Sequence, residues 1–182
     1  MSFPSDRLPS GSAREASSPA ALPPLPEGRF EGRATFQDFV RLALAHAAEH
    51  GWKRLILCDE DFADWPLGER AAIDALQSWA SSGRTIRFVA RDYRLIHSLH
   101  PRLVQWRQHW SHIVEARTCS GRGSDQLPSA FWSDGWTLER LDDQRDAMVA
   151  TQDAGRRVAL HERIDGFWRY GQPGFASSVL GL

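Results

Sequence analysis

Hydrophobic residues recur along this chain with two periodicities, one typical of helices and the other of buried strands. The first helical stretch runs from Thr35 to a stop at Gly51. Its apolar positions are three and four residues apart: Phe36, Phe39, Val40, Ala43, Leu44 and Ala47. The apolar run at 53–58 that follows predicts a buried strand.

Two further helix–strand units follow in the same order. We predict a helix from Pro66 to Gly83, a strand at 85–90, a helical stretch from Asp92 to Trp110 broken near Pro101, and a strand at 112–117. The apolar residues Ala71, Ile73, Leu76 and Trp79 are expected to form the inward face of the first of these helices. Since helices separate the strands, we expect an α/β fold with a mainly parallel sheet flanked by helices.

The ends of the chain differ from this middle part. Residues 1–33 are rich in Pro, Ser and Ala and are expected to form a disordered tail, which leaves a single α/β domain at 34–182. After the domain's first half we predict a Gly/Ser loop at 119–128, a pair of strands at 136–141 and 147–151 around Asp142 and Asp143, and a final helix from Arg156 to Tyr170.

Composition excludes several classes of protein. The chain has 182 residues, a formal net charge of −1 and 42% hydrophobic residues, which excludes a globally basic nucleic-acid binder. Two cysteines exclude a disulfide scaffold. No apolar run is long enough to predict a membrane span, and residues 1–33 lack a secretory signal, so a cytoplasmic location is expected.

Charged residues follow each of the predicted parallel strands. In an open parallel sheet, ligands collect beyond the carboxyl ends of the strands. Arg91, Tyr93 and Arg117 lie just past these ends and predict a site for an anionic, phosphate-bearing ligand. The alternative is a salt-bridged rim in which Asp59, Glu60 and Asp61 neutralise the arginines. Arg87, inside a predicted strand, is expected to be structural.

The acids after the first strand also allow an enzymatic hypothesis. Asp59 and Asp61 form the D-x-D arrangement of haloacid-dehalogenase-type phosphatases, in which one Asp attacks phosphorus and the other shuttles a proton. Those enzymes place a lysine downstream, whereas the single lysine here, Lys53, precedes the strand. A metal-dependent phosphatase using Asp59 and Asp61 is therefore an alternative function.

The histidine spacings give no expected metal site. His97 and His100, and likewise His109 and His112, have H-x-x-H spacing, which on a helix would put two ligands on one face. Pro101 is expected to interrupt the helix between the pairs, and His112 to begin a strand. We therefore predict no metal and no cofactor.

Several stretches resemble a known superfamily. Residues 36–118, with AIDALQSWASSGRTIRFVA and HIVEART, resemble the first part of a phospholipase-D-like domain, and residues 156–171 resemble its closing helix. The stretches FADWPL and HPRLVQWRQHWSH and the ending from Phe175 to Leu182 are similar to an uncharacterised bacterial group of this shape. The resemblance implies a phospholipase-D-like half-unit.

The catalytic signature of that superfamily, H-x-K-x-x-x-x-D, is absent. No histidine is followed two positions later by lysine, and the segment SAFWSDGWTLERLDD at the expected position has neither residue. The resemblance therefore implies no catalytic residues, and a non-catalytic module that binds an anionic ligand or a protein partner. Two-unit members of the superfamily pair across an apolar sheet edge, so a homodimeric scaffold is a further alternative.

Overall fold

Helices alternate with strands as far as residue 118, and strands dominate the part that follows. The computed structural model describes residues 21–81, 83–121, 123–142 and 146–175. Its elements are β1 (Gly28–Phe30), α1 (Arg33–His50), β2 (Arg54–Asp59), α2 (Arg70–Trp79), β3 (Thr85–Ala90), α3 (Arg94–Leu99), α4 (Pro101–His109), β4 (Val114–Thr118), a 3₁₀ turn (Ser124–Gln126), β5 (Ser129–Ser133), β6 (Thr137–Asp142), β7 (Ala147–Thr151), α5 (Ala154–Tyr170) and β8 (Gln172–Pro173).

The strands of the described residues form one sheet in the order β1-β7-β6-β5-β2-β3-β4-β8. Strands β2, β3 and β4 are parallel, and every other neighbouring pair is antiparallel. The expected α/β class with flanking helices is confirmed, but the expectation of a mainly parallel sheet is wrong. Three residues separate β5 from β6 and four separate β6 from β7, and connections this short reverse the chain.

Strand β5 was absent from the sequence prediction. All five of its residues are buried, and it lies between β2 and β6 in the sheet. Since both of its faces are covered, its sequence SAFWS shows no alternation of polar and apolar positions. The predicted strands at 136–141 and 147–151 are confirmed as the antiparallel pair β6 and β7, and residues 143–145 of their turn lie outside the described residues.

The predicted helices are confirmed with shifted ends. Helix α1 ends at Gly51, which has the left-handed φ of 63° that glycine adopts without strain. Pro101 separates α3 from α4. Helix α2 begins at Arg70 rather than Pro66, and its buried residues include Ala72 rather than the predicted Ala71. Among the described residues, every helix is too short or too polar to cross a membrane.

Two apolar layers cover the sheet. On one face, α1, α2 and α4 bury large side chains against the strands, including Phe36, Leu76, Trp79 and Trp106. On the other face, α5 packs Leu160 and Ile164 against the side chains of Ile56, Val89, Ala130 and Trp132. Because α5 is the one helix packed there in the described part of the chain, it defines the clefts on that face.

The segment before α1 belongs to the sheet. β1 pairs with β7 from Gly28 to Phe30, and the indole N–H of Trp136 donates to the carbonyl of Pro26 at 2.9 Å. The boundary of the folded part therefore lies before residue 28 rather than at 33. Pairing with a strand 120 residues away leaves no local signal in this Pro-rich stretch. Residues 1–20 of the predicted tail lie outside the described residues.

The geometry of the sheet edges bears on the homodimer hypothesis. The edge strands β1 and β8 have three and two residues, and β8 contains Pro173, which has no amide hydrogen. Five tryptophans are buried inside this chain: Trp65, Trp79, Trp106, Trp132 and Trp136. Short edges and inward tryptophans offer little to a second copy, and the homodimer stays a prediction.

Two glycines allow a matched test of the packing at β8. A Cβ at Gly174 would overlap Thr118 Oγ1 and lie 2.8 Å from a ring carbon of Tyr93, whereas a Cβ at Gly166 on α5 would meet nothing within 4 Å. We expect Gly174→Ala to lower the free energy of unfolding by about 1–3 kcal/mol. Gly166→Ala should raise it by about 0.5–1 kcal/mol. Denaturant unfolding measures both, and equal effects would contradict this packing.

Candidate ligand groove beside helix α5

Asp59, the first residue of the phosphatase hypothesis, holds a turn at the carboxyl end of β2. The residue is 7% exposed. Oδ1 accepts from the amides of Asp61 at 3.1 Å and Phe62 at 2.8 Å, and Oδ2 accepts from the hydroxyl of Ser129 at 2.5 Å. The turn includes Phe62 at a φ of 61°, an uncommon conformation for a bulky residue. Both carboxylate oxygens thus stabilise the turn.

Asp61, the second residue of that hypothesis, caps the same turn. Its Oδ1 accepts from the amide of Ala63 at 2.9 Å, and the side chain is half-buried. A nucleophilic carboxylate needs an oxygen directed at the substrate. Since both oxygens of Asp59 face backbone amides and Ser129, the geometry favours a structural role for Asp59, and Oδ1 of Asp61 stabilises the same turn.

Arg91 follows β3 and pairs with an acid of the rim. Its guanidinium forms an ion pair with Glu60, and its amide donates to the carbonyl of Glu60 at 2.9 Å. Asp92, the next residue, accepts from the amide of Arg94 at 2.8 Å, and this bond, outweighing desolvation, lowers the pKa of Asp92. This part of the rim is therefore salt-bridged, which is the arrangement that the sequence analysis gave as the alternative to an anion site.

Tyr93 and Arg117, the other predicted anion ligands, lie together but contact backbone. The hydroxyl of Tyr93 donates to the carbonyl of Arg117 at 3.0 Å, and burial raises the pKa of Tyr93 well above its usual value. Nη1 of Arg117 donates to the carbonyls of Trp168 at 2.9 Å and Gly171 at 3.1 Å. These contacts fasten the end of α5 to β4 and leave the side chains little capacity for a ligand.

A groove lined by several arginines lies at the opposite ends of the strands. It consists of two clefts, of about 330 Å³ and about 190 Å³, that share Arg54 and His161. We call it the α5 groove and define it by the side chains of Arg54, Arg87, Trp132, Arg157 and His161.

The arginines of the α5 groove lie beside tryptophans. The guanidinium of Arg54 is 5.3 Å from the ring centroid of Trp132 and pairs with Asp134 at 2.8 Å. That of Arg87 is 4.6 Å from the ring centroid of Trp168 and pairs with Glu115 at 2.8 Å. Arg87, expected to be structural, therefore also lines a cleft.

His161 reports the electrostatic character of the α5 groove. Its ring centroid is 4.8 Å from that of Trp132. Partial burial lowers the pKa of His161, and the positive charges of Arg54 and Arg87 lower it further, against opposing effects of Asp165 and Glu162. The imidazole is thus neutral at neutral pH, and an anion placed beside it would favour its protonation.

A second cleft lies on the other side of α5. The Tyr170 cleft has a volume of about 400 Å³ and is lined by Cys119, Arg163, Phe167 and Tyr170, among others. The ring of Tyr170 is 88% exposed, and Arg163 pairs with Glu139. The thiol of Cys119 donates weakly to the carbonyl of Phe167 at 3.3 Å, and burial raises its pKa. An inert thiol and a single paired arginine make this cleft less suited to an anion.

The sequence analysis did not predict that Arg54, Arg157 and His161 are neighbours in the fold. Arg54 begins β2, whereas Arg157 and His161 lie on α5 more than 100 residues later. Because ligands of an open parallel sheet are expected beyond the carboxyl ends of the strands, the sequence analysis placed the site at the other end of β2, β3 and β4. The one local signal was the run of positive charge at the start of the predicted final helix, Arg156 and Arg157.

Comparisons with known proteins concern the fold. No protein-family model and no curated protein sequence matches this chain. A solved structure of similar fold is that of TrmBL2, an archaeal chromatin protein described as showing a novel mode of DNA binding. The TM-score is 0.59 at 12% identity, over 81% of this chain and 54% of that one. The likeness therefore concerns fold alone.

The comparisons leave the family resemblance as an expectation. They give no evidence for a phospholipase-D-like domain or for a bacterial group, since TrmBL2 is archaeal. Residues 176–182 of the ending compared with that group lie outside the described residues.

Substitution of Asp59 and Asp61 distinguishes a structural role of these acids from a catalytic one. Asp59→Ala removes an acceptor of three hydrogen bonds and should lower the free energy of unfolding by about 2–3 kcal/mol. Asp61→Ala, which loses one bond, should cost about 1 kcal/mol or less. Both free energies are measured by denaturant unfolding. Magnesium-dependent phosphatase activity that Asp59→Asn abolishes while the fold persists would restore the enzymatic hypothesis.

Burial and the charges around His161 predict the direction in which its pKa is shifted. An NMR titration should place the midpoint of the His161 ring below the ordinary value of 6.5. Because the unfolded chain takes up this proton at higher pH, His161 makes the fold less stable as the pH falls through that range. Arg54→Met should raise the midpoint, and Arg29→Met on β1 should leave it unchanged. A midpoint above 6.5 would contradict the burial of His161.

Proposed function

We propose that this chain is a non-catalytic module that holds a phosphate-bearing ligand, a nucleotide or a short nucleic-acid strand, in the α5 groove. The observation that carries the proposal is the convergence of Arg54, Arg87 and His161 on connected clefts that also contain Trp132. Arg157 donates from Nε to the carbonyl of Gln152 at 3.2 Å and from Nη1 to that of Asp134, so it shapes the wall of the groove. A guanidinium offers two parallel hydrogen bonds to a phosphate, and an aromatic face stacks on a base.

The ion pairs within the groove do not prevent such binding. Arg54 is 60% exposed and its partner Asp134 is 31% exposed; Glu115, the partner of Arg87, is 49% exposed. Solvent-exposed ion pairs are worth about 0–1 kcal/mol, whereas a hydrogen bond to a charged phosphate is worth about 1.5–3 kcal/mol. Exchanging a carboxylate for a phosphate at these guanidinium groups therefore costs little.

Further points support a short ligand that is bound without being chemically changed. The net charge of −1 disfavours a long nonspecific contact with nucleic acid, so recognition rests on the groove itself. TrmBL2, which shares the fold, is described as binding DNA, and this favours nucleic acid as the first ligand to test. That the module is non-catalytic is inferred from the absence of the H-x-K pair that phospholipase-D-like enzymes, which this chain resembles, use.

The test is a fluorescence titration of a labelled short single-stranded oligonucleotide, with a nucleotide and inorganic phosphate as competitors. Arg54→Ala and Arg87→Ala should each lower the affinity by roughly 10–100-fold, the equivalent of one charge-assisted contact. The affinity should also fall steeply with added salt.

Two variants control for the choice of site. Arg91→Ala removes a rim arginine and Arg163→Ala the arginine of the Tyr170 cleft, and both should bind as the wild type does. Loss of binding in Arg91→Ala or Arg117→Ala with retention in Arg54→Ala would return the site to the carboxyl rim. Absence of binding at low salt would overturn the proposal.

A further inference from the structure

The last turn of α1 carries three metal-ligating side chains on one face. His46, Glu49 and His50 are spaced three and four positions apart, which brings side chains of a helix together. Each has a potential ligand atom, and these atoms all lie within 4.8 Å of one another. Among the described residues, this is the one group of three such side chains close enough to share an ion.

Hydrogen bonds to the backbone fix the state of both imidazole rings. Nε2 of His46 lies 2.7 Å from the carbonyl oxygen of Pro23, and Nδ1 of His50 lies 3.1 Å from the carbonyl oxygen of His46. A carbonyl oxygen accepts only, so these two nitrogens carry the hydrogens. The lone pairs of the neutral rings therefore lie on Nδ1 of His46 and Nε2 of His50.

This is the arrangement that protein metal sites use. A ligating histidine almost always donates its other ring N–H to a carbonyl, a carboxylate or water, which fixes the tautomer and orients the ring. Two imidazoles and a carboxylate form a donor set suited to Zn²⁺, with water in a remaining position. Nothing in the α5 groove contributes to it.

We propose that His46, Glu49 and His50 bind a divalent transition-metal ion of the zinc type. Ligand distances of about 2.0–2.1 Å set the ligand atoms of tetrahedral zinc about 3.4 Å apart. The rings of His46 and His50 are stacked, with 5.1 Å between their centroids. The exposed side chains of Glu49 and His50 therefore turn toward the ion, His50 about the hydrogen bond from its Nδ1 to the carbonyl of His46, while the buried His46 is the fixed ligand.

The site would connect the N-terminal segment to the domain. The ion fixes the His46 ring, whose N–H holds the carbonyl of Pro23. Pro26, three residues on, accepts from Trp136, and β1 begins at Gly28. Metal binding should therefore slow hydrogen exchange in β1, where the amides pair with β7.

The experiment is calorimetric titration of Zn²⁺ into the tag-free full chain, with cysteines kept reduced. We expect one ion per chain, a higher unfolding midpoint and slower exchange in β1. His50→Ala should abolish this binding, and Glu49→Gln should weaken it by roughly tenfold or more. Both substitutions are at exposed positions, so the fold should persist.

His109→Ala is the matched control. Like His50, His109 is exposed on a helix and its Nδ1 contacts the carbonyl four residues earlier, that of Gln105, at 2.9 Å. This variant should bind zinc as the wild type does. Equal binding by His50→Ala and the wild type would place the ion elsewhere and overturn the proposal, as would the absence of binding at saturating Zn²⁺. Either result leaves the oligonucleotide titration unaffected.

Discussion

Strand β5 is paired with β2 along one edge and with β6 along the other, and both of its faces are buried. Its position joins the parallel strands to the antiparallel ones, so each half of the sheet depends on it for a hydrogen-bonding partner. Ser129, its first residue, also donates to Asp59 and thereby fixes the turn after β2. The two halves of the domain meet at this strand.

The placement of α5 follows from that strand. Helix α5 packs against β5 and β3 and buries Leu160 and Ile164 there. It leaves the amino ends of β2 and β3 partly open, and the side chains on this face at those ends are Arg54 and Arg87. The α5 groove is therefore the uncovered remainder of a sheet face, bounded by a helix that carries Arg157 and His161. At the other end of the helix, Arg117 fastens α5 to β4.

Exposure explains why the arginines differ in their capacity for a ligand. Arg117 donates to two carbonyls within the fold, and a ligand would have to replace both bonds. The guanidinium of Arg54 is 60% exposed and donates to a carboxylate, that of Asp134, rather than to a carbonyl of the fold. The rim arginines were identified by their positions after strands, which is a correct description of the sequence. Their capacity for a ligand depends on their partners in the fold, because Arg91 pairs with Glu60 and Arg117 donates to carbonyls at the end of α5.

Local periodicity predicted the helices and the three parallel strands, since residues within a few positions decide which face is apolar. Helix α1 and its end at Gly51, the break at Pro101 and the pair β6 and β7 were all determined in this way. The alternation of helices and strands also established the α/β class. The positions of Arg91, Tyr93 and Arg117 just past strands predicted a site for a phosphate-bearing ligand at the carboxyl rim. Tertiary structure alone decided the strand order, the antiparallel half of the sheet, the joining of β1 to β7 and the identity of the groove. These depend on contacts between residues far apart in the chain, and no local pattern of hydrophobicity or charge encodes them.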